Sequence, residues 1–145
     1  MALVQQHADC DREDNLARGA AALEEAAGRG ARLVAYPELA FSRFLPQVPA
    51  TDEALAQAEP VPGPTTERFC ALAKKLGVVV VLNLFEQDGD RTFDTSPVIN
   101  ADGRLGQNSL NPANKLSKIL AAIAPVHFLQ DIIITALERD MEMRH

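Results

Sequence analysis

The stretch "ARLVAYPEL" at residues 31–39 decides the fold, because an apolar run ends in a proline and an acid follows at once. Upstream of it, "ALVQQ" (2–6) predicts a short strand, and "NLARGAAALEEAAGRG" (15–30) predicts a helix capped by Asp11 or Asp14. A strand, a helix and a second strand in this order form a βαβ unit. We therefore expect the two strands to be parallel neighbours.

The chain after residue 64 continues the same alternation. "PTTERFCALAKKLG" (64–77) predicts a helix that begins at its proline. "VVVVLNLF" (78–85) predicts a strand that is covered on both faces, because it is continuously apolar. After a turn at 86–91, "TFDTSPVIN" (92–100) predicts a returning strand, so the sheet should be mixed.

Two regions depart from this alternation. Residues 37–64 are rich in proline, which predicts a long and therefore functional loop with one helical stretch at 51–58. After residue 106 the sequence becomes rich in large aliphatic residues, and two helices are predicted at 115–124 and 126–145. We expect an α/β domain over 1–106 and a helical C-terminal tail over 107–145.

Composition narrows the class of protein. The 145 residues carry a formal net charge of −6, which argues against nucleic acid or an anionic membrane as the main partner. No apolar stretch is long enough for a membrane span. Two cysteines make no disulfide framework, which favours a cytoplasmic location. The three histidines have no ligand spacing, and no nucleotide-binding glycine motif occurs, so we expect neither a metal site nor nucleotide binding.

Glu38 is the candidate functional residue, because it directly follows a predicted parallel strand. Ligands and functional groups in open α/β sheets gather just beyond the carboxyl ends of the strands. If Phe41, Phe44 and Leu45 close over Glu38, the apolar surroundings raise its pKa and make it a usable proton acceptor. The alternative is a structural role, in which Glu38 caps the next turn or pairs with Arg43.

Several segments in series resemble the N-terminal half of the carbon–nitrogen hydrolase (nitrilase) family. They are "ALVQQ" at the start, "GARLVAYPELAF" (30–41), "PVPGPTTERFCALAKKLGVVVVLNLFE" (60–86) and "FDTSPVINADGRLG" (93–106). Within the family they are most similar to amidases and N-carbamoyl amidohydrolases. The resemblance implies a four-layer α-β-β-α sandwich, of which this chain would form part, and a tendency to form homo-oligomers.

The resemblance also implies a chemistry. Family members hydrolyse non-peptide carbon–nitrogen bonds of small amides, nitriles or carbamoyl compounds without a cofactor. A cysteine thiolate attacks the carbon, a glutamate takes the thiol proton, and a lysine stabilises the oxyanion. Glu38 matches the family's glutamate through its Pro-Glu-Leu context, and we expect it to be the general base.

The other two family residues have no counterpart here. The segment after the Asp-Gly turn, "GQNSLNPANKLSK" (106–118), does not reproduce the lysine motif, so neither Lys115 nor Lys118 takes that role. No Gly-rich cysteine segment occurs. Cys10 lies among acids that disfavour a thiolate, and Cys70 lies on a predicted helix as an ordinary packing residue.

Three interpretations of the whole chain stay open. It is a hydrolase of small amide or N-carbamoyl compounds, or a catalytically inactive truncated remnant, or an oligomerising interaction module that uses its tail. The missing nucleophile leads us to expect an inactive isolated chain.

Overall fold

The computed structural model describes residues 1–8, 11–42 and 55–106. Its elements are the helices α1 (Arg12–Gly28) and α2 (Pro64–Leu76) and the strands β1 (Ala2–Leu3), β2 (Leu33–Ala35), β3 (Val79–Val81), β4 (Leu84–Asp88), β5 (Arg91–Thr95) and β6 (Val98–Ile99). The predicted helical stretch at 51–58 lies partly outside the described residues. The two predicted tail helices lie wholly outside them.

Four strands form a mixed sheet in the order β1-β2-β3-β6. β1, β2 and β3 run parallel, whereas β6 is antiparallel to β3. The βαβ unit, the mixed sheet and the α/β class predicted from the sequence are therefore confirmed. The carboxyl ends of β2 and β3 lie side by side, because Leu33 is in register with Val79 and Ala35 with Val81.

Two strand predictions were wrong in extent, because the chain changes sheets within both. The run at 78–85 breaks after Val81, and β4 leaves to pair with β5 in a separate two-stranded hairpin. The predicted return strand at 92–100 breaks in the same way between β5 and β6. Asn83 and Pro97 lie at the two breaks: the side chain of Asn83 bonds to other segments, and proline cannot donate to a ladder.

Local signals define both helices. α1 begins three residues earlier than predicted, because Asp11 is its N-cap and accepts a hydrogen bond from the Asp14 N–H at 3.1 Å. α2 begins at Pro64 as predicted and ends at Gly77, whose φ of 66° gives a left-handed C-cap that favours glycine.

The core lies between the two helices and one face of the sheet. One row of side chains crosses the sheet in register, and large residues of both helices pack in the same cluster. Burying each large side chain contributes about 2 kcal/mol. The row is Ala2, Val34, Val80 and Ile99, and the helical residues are Leu16, Leu23 and Phe69. Ala35 and Val81 point to the opposite face and are also buried, which confirms that the central strands are covered on both sides.

Candidate functional site

A tight turn directly after β2 carries Glu38 to the carboxyl edge of the sheet. The backbone N–H of Tyr36 still bonds to the Val81 carbonyl at 3.0 Å, so the chain stays beside β3 until Pro37, which has no N–H to donate. The turn then spans residues 38–41. Glu38 is half-buried there. Its position at the end of a parallel strand is the one expected from the sequence.

The turn depends on an unusual backbone conformation at Leu39. Its φ is +49°, in the left-handed region, which costs a residue with a Cβ about 1–2 kcal/mol. Two interactions hold the conformation: the Leu39 side chain is buried, and its backbone N–H donates to Asn83 Oδ1 at 2.8 Å. Strained backbone held by its surroundings is common where a side chain must be aimed. Here it aims the neighbouring Glu38.

Asn83 links the turn to the β4–β5 hairpin. Because a backbone N–H can only donate, the oxygen of the Asn83 amide must face Leu39. The Asn83 nitrogen therefore faces the other way, where it donates to Asp94 Oδ1 at 2.6 Å and to Ser96 Oγ at 2.9 Å. One amide thus connects three segments at the sheet edge.

Asp94 lies on β5, opposite Phe85 of β4, and accepts a hydrogen bond from the Asn83 amide. Partial burial, the negative charge of Asp94 and hydrogen bonding with its side chain all raise the pKa of the Glu38 carboxyl above its ordinary value. A carboxyl group whose pKa moves toward neutrality can take a proton from a reacting group more effectively than an ordinary surface glutamate. The arrangement is therefore chemically suited to general-base work.

Phe41, one of the two aromatic residues predicted to cover Glu38, packs in the core. The ring of Phe41 lies 5.3 Å from that of Tyr36 and 5.1 Å from that of Phe69, centroid to centroid, and is 2% exposed. A Cβ on Gly19 of α1 would come within 2.5 Å of this ring, so α1 presses directly on it. The other predicted neighbours of Glu38, Arg43, Phe44 and Leu45, lie outside the described residues.

Sequence reasoning missed two residues of the site, Asn83 and Asp94. Asn83 was visible as the one polar residue in the run "VVVVLNLF", and a polar interruption of a buried strand signals a side chain with fixed partners. Asp94, inside "TFDTS", was visible as an acid within a predicted strand. Its approach to Glu38 was not visible, because it results from the hairpin leaving the main sheet.

A second buried acid, Glu59, lies near the start of α2. It forms an ion pair with Arg12 and accepts the Thr65 N–H at 3.1 Å. Arg12 also donates to the Thr65 hydroxyl at 3.1 Å and to the Gln57 carbonyl at 2.8 Å. Both carboxylate oxygens of Glu59 accept from donors, so this cluster ties α1 to the N-terminus of α2.

Other candidates from the sequence have ordinary structural positions. Cys70 lies on α2, and burial together with the negative charge of Glu67 raises the pKa of its thiol, which disfavours the thiolate. Gly89, with a φ of +63°, forms the hairpin turn between Asp88 and Asp90. Cys10, His127 and His145 lie outside the described residues.

Within the residues that the structure describes, no three side chains of the metal-ligating types lie close enough together to hold an ion. In the same residues, no helix has the length and apolar character needed to cross a membrane.

The chain is similar to amidases and carbon–nitrogen hydrolases over its first part. It is 35% identical over 106 residues to the omega-amidase NIT2 of Danio rerio, in a match that spans 72% of this chain and 36% of that protein. The chain thus spans about a third of the length of this relative.

Solved structures share the fold. A carbon–nitrogen hydrolase from Helicobacter pylori G27 superposes with a TM-score of 0.65 at 24% identity, covering 72% of this chain and 36% of that one. A double mutant of the amidase from Nesterenkonia sp. AN1, in complex with acrylamide, gives a TM-score of 0.59 at 21% identity and covers 72% and 39%.

The family profile for carbon–nitrogen hydrolases matches residues 1–120, which is most of the chain. The match includes Glu38, Asn83 and Asp94, and it extends past the turn at residues 101–103. The fold, the order of the elements and this match agree with the resemblance drawn from the sequence. The chain belongs to the carbon–nitrogen hydrolase family.

Proposed function

We propose that this chain carries the general-base part of a hydrolase site for non-peptide carbon–nitrogen bonds, with Glu38 as the base. The observation that supports it is the half-buried Glu38 carboxyl at the sheet edge, whose pKa is raised by burial and by Asp94. An ordinary surface glutamate would be a weak base at neutral pH, whereas this one is shifted toward the working range of a general base.

The substrate class that fits is a small amide or N-carbamoyl compound. Attack by a thiol on such a carbon requires a base that takes the thiol proton, and Glu38 supplies that function. The amidase names of the relatives, and the acrylamide bound to the Nesterenkonia double mutant, support small primary amides as the first compounds to test.

Ammonia release by the full chain from acrylamide, other small primary amides and N-carbamoyl compounds tests the proposal. Glu38→Gln should abolish release, because the amide cannot accept the thiol proton. Glu25→Gln is the matched control: Glu25 is exposed on α1 and pairs with Arg29 four residues on, so activity should be unchanged. Turnover that survives Glu38→Gln would remove Glu38 from the mechanism.

A specific observation favours a second candidate, a catalytically inactive remnant. Cys70 is the cysteine that the structure describes, and the raised pKa of its thiol disfavours a nucleophilic role. Without a thiol beside it, Glu38 has no proton to take. Absence of ammonia release from the folded wild-type chain, across the whole panel, would support this candidate over the first.

The remaining features are part of the same proposal. We assign residues 1–106 to the hydrolase domain and 107–145 to a tail, and limited proteolysis of the full chain should cut near this boundary. Because the family match extends to residue 120, cleavage near residue 120 would move the domain boundary from 106 to that position. We also propose a homo-oligomer in the cytoplasm, which light scattering after size exclusion and cell fractionation would test.

A further inference from the structure

Three neighbouring strands supply side chains to the same edge of the sheet. β1, β2 and β3 are parallel, and their last residues are in register with one another. Gln6, Glu38 and Asn83 follow the ends of these strands at a distance of two or three positions. The parallel order therefore brings two neutral amides to the edge at which the candidate base lies.

The amide of Gln6 holds the turn that contains Glu38. Its Nε2 donates to the Ala40 carbonyl at 2.7 Å and to the Asn15 carbonyl at 3.2 Å. Carbonyl oxygens only accept, so the nitrogen must face them and the orientation of the amide is fixed. Gln6 thereby connects the segment after β1, the first turn of α1 and the turn at residues 38–41.

The other end of the same amide is unfavourably placed. Within the described ranges of the chain, Gln6 Oε1 is a buried oxygen that accepts no hydrogen bond. A Cβ on Gly19 would lie 3.4 Å from this oxygen, so α1 packs directly against it. A buried acceptor without a donor destabilises a fold and calls for an explanation. The two bonds made by Gln6 Nε2 supply one, because they require an amide at this position.

Asn15 of α1 holds the next carbonyl of the turn in the same way. The side chain is fully buried, and its Nδ2 donates to the Phe41 carbonyl at 3.2 Å. Its Oδ1 accepts from the Arg18 guanidinium three positions along the helix. The guanidinium only donates, so the orientation of this amide is also fixed.

The backbone of the turn is thus held at three successive residues, each by a neutral amide from a different element. Leu39 bonds to Asn83, Ala40 to Gln6, and Phe41 to Asn15. A turn with a left-handed residue needs such support, because that conformation is unfavourable by itself. Since the amides are neutral and bind the backbone, they hold the turn without adding a charge beside Glu38.

We propose that Gln6 and Asn15 are positioning residues for Glu38, which form an amide clamp on the Ala40 and Phe41 carbonyls. The amide clamp is a property of the folded chain. Its consequence for catalysis, that loss of either amide slows proton transfer to Glu38, rests on the proposed function. A base must lie within hydrogen-bond reach of the proton that it takes, so a small displacement of the carboxyl group is enough to slow the reaction.

Amide hydrogen exchange in the full chain tests the clamp without any substrate. Gln6→Met keeps a side chain of similar length and removes the donor. The Leu39 and Ser42 N–H groups report on the turn, because the first bonds to Asn83 and the second to the Leu39 carbonyl at 3.1 Å. In Gln6→Met both should exchange about tenfold faster relative to the slowest amides of the same chain, since loss of a hydrogen bond favours local opening.

Thr66→Val is the matched control. It removes the two bonds between the buried Thr66 hydroxyl and the Gly63 backbone at the start of α2, at 2.8 and 2.9 Å. It should therefore lower stability while leaving the relative exchange of Leu39 and Ser42 unchanged. Equal acceleration of these two amides in Gln6→Met and Thr66→Val would overturn the proposal. Unchanged exchange in a native Gln6→Met chain would overturn it as well.

The carboxyl signal of Glu38 shows whether the clamp directs that side chain. The full chain is labelled with 13C in its carboxyl groups, and the Glu38 signal is assigned by its disappearance in Glu38→Gln. At constant pH, Gln6→Met should move this signal and Thr66→Val should not. A Glu38 signal that stays in place in a native Gln6→Met chain would contradict the positioning role.

A second variant covers the case in which Gln6→Met does not fold. Asn15→Asp keeps the shape of the side chain and the oxygen that faces Arg18, but it removes the donor to the Phe41 carbonyl. The turn amides should again exchange faster. Thermal unfolding of each variant shows which ones are native. Unchanged exchange of the turn amides in a native Asn15→Asp chain counts against the clamp.

The exchange measurement and the ammonia assay fail independently. If the wild type releases ammonia, Gln6→Met should lower kcat about tenfold with KM nearly unchanged, because Glu38 acts on the reacting proton and not in substrate binding. If no substrate is turned over but the turn opens in Gln6→Met, the clamp stands and the proposed function fails. Turnover together with unchanged exchange of the turn amides leaves the function and removes the clamp.

Discussion

Glu59 and Glu38 are both withdrawn from water to some degree, yet their surroundings are opposite. Glu59 is met by a cation, Arg12, and by a hydrogen-bond donor, the Thr65 N–H. Glu38 is met by another acid, Asp94, which disfavours the charged form. A carboxylate whose oxygens face hydrogen-bond donors stabilises the fold. A carboxylate beside another acid has a raised pKa, which is typical of functional sites.

The same contrast holds for the backbone around each acid. Glu59 also bridges to β4 through main-chain bonds, from Glu59 N–H to the Phe85 carbonyl at 3.0 Å and from Gln87 N–H to the Glu59 carbonyl at 2.8 Å. Glu38 instead precedes the left-handed Leu39, which depends on Asn83. The first acid is part of the regular scaffold, and the second depends on a strained turn.

Removal of the paired acid should have the largest effect on stability. We expect Glu59→Ala to lower the free energy of unfolding by about 3 kcal/mol, because it leaves Arg12 partly buried without its partner and the N-terminus of α2 without an acceptor. Urea denaturation of both proteins measures the difference.

The control for this change is Glu13→Gln, which breaks an exposed pair with Arg68 at 2.6 Å. Its effect should be about 0.5 kcal/mol or less. Equal losses for Glu59→Ala and Glu13→Gln would contradict the structural role assigned to Glu59.

Removal of the linking amide should have an intermediate effect. We expect Asn83→Ala to cost about 2 kcal/mol, because the buried Leu39 N–H loses its acceptor and Asp94 loses a donor. Urea denaturation again gives the stability. The same variant should change the 13C shift of the Glu38 carboxyl at constant pH, since the turn that aims it is released. If the Glu38 signal of Asn83→Ala is the same as in the wild type, Asn83 does not hold the turn that carries Glu38.

Replacement of Glu38 should change the pH dependence of stability more than stability itself. Because the pKa of Glu38 is higher in the folded chain than in the unfolded chain, its contribution is fully present below the ordinary glutamate pKa. That contribution is lost as pH rises through the folded pKa. Glu38→Gln cannot titrate, so its stability relative to wild type should increase over this window.

Thermal unfolding at a series of pH values from acid to neutral measures this difference. Glu25→Gln serves as the control, because Glu25 is exposed and its pair with Arg29 is on the surface. A difference between Glu38→Gln and wild type that is constant with pH would contradict the raised pKa and would place Glu38 closer in character to Glu59.

The sequence alone determined the framework around the site. The apolar run before Pro37, the helix signals at Asp11, Pro64 and Gly77, and the valine-rich stretch at 78–85 were sufficient for the βαβ order and the mixed sheet. These are local signals, since periodicity, caps and strand composition act over a few residues. Pro-Glu-Leu likewise placed Glu38 at a strand end.

Only the tertiary structure decided what surrounds Glu38. Asn83 and Asp94 are 45 and 56 positions further along the chain, and they reach Glu38 because β4 and β5 leave the main sheet at the two breaks. The sequence expected aromatic cover from Phe41, whose ring packs in the core with Tyr36 and Phe69. The pKa of a carboxyl group depends on charges and donors within a few ångströms, whichever part of the chain supplies them. Local sequence patterns do not carry that information.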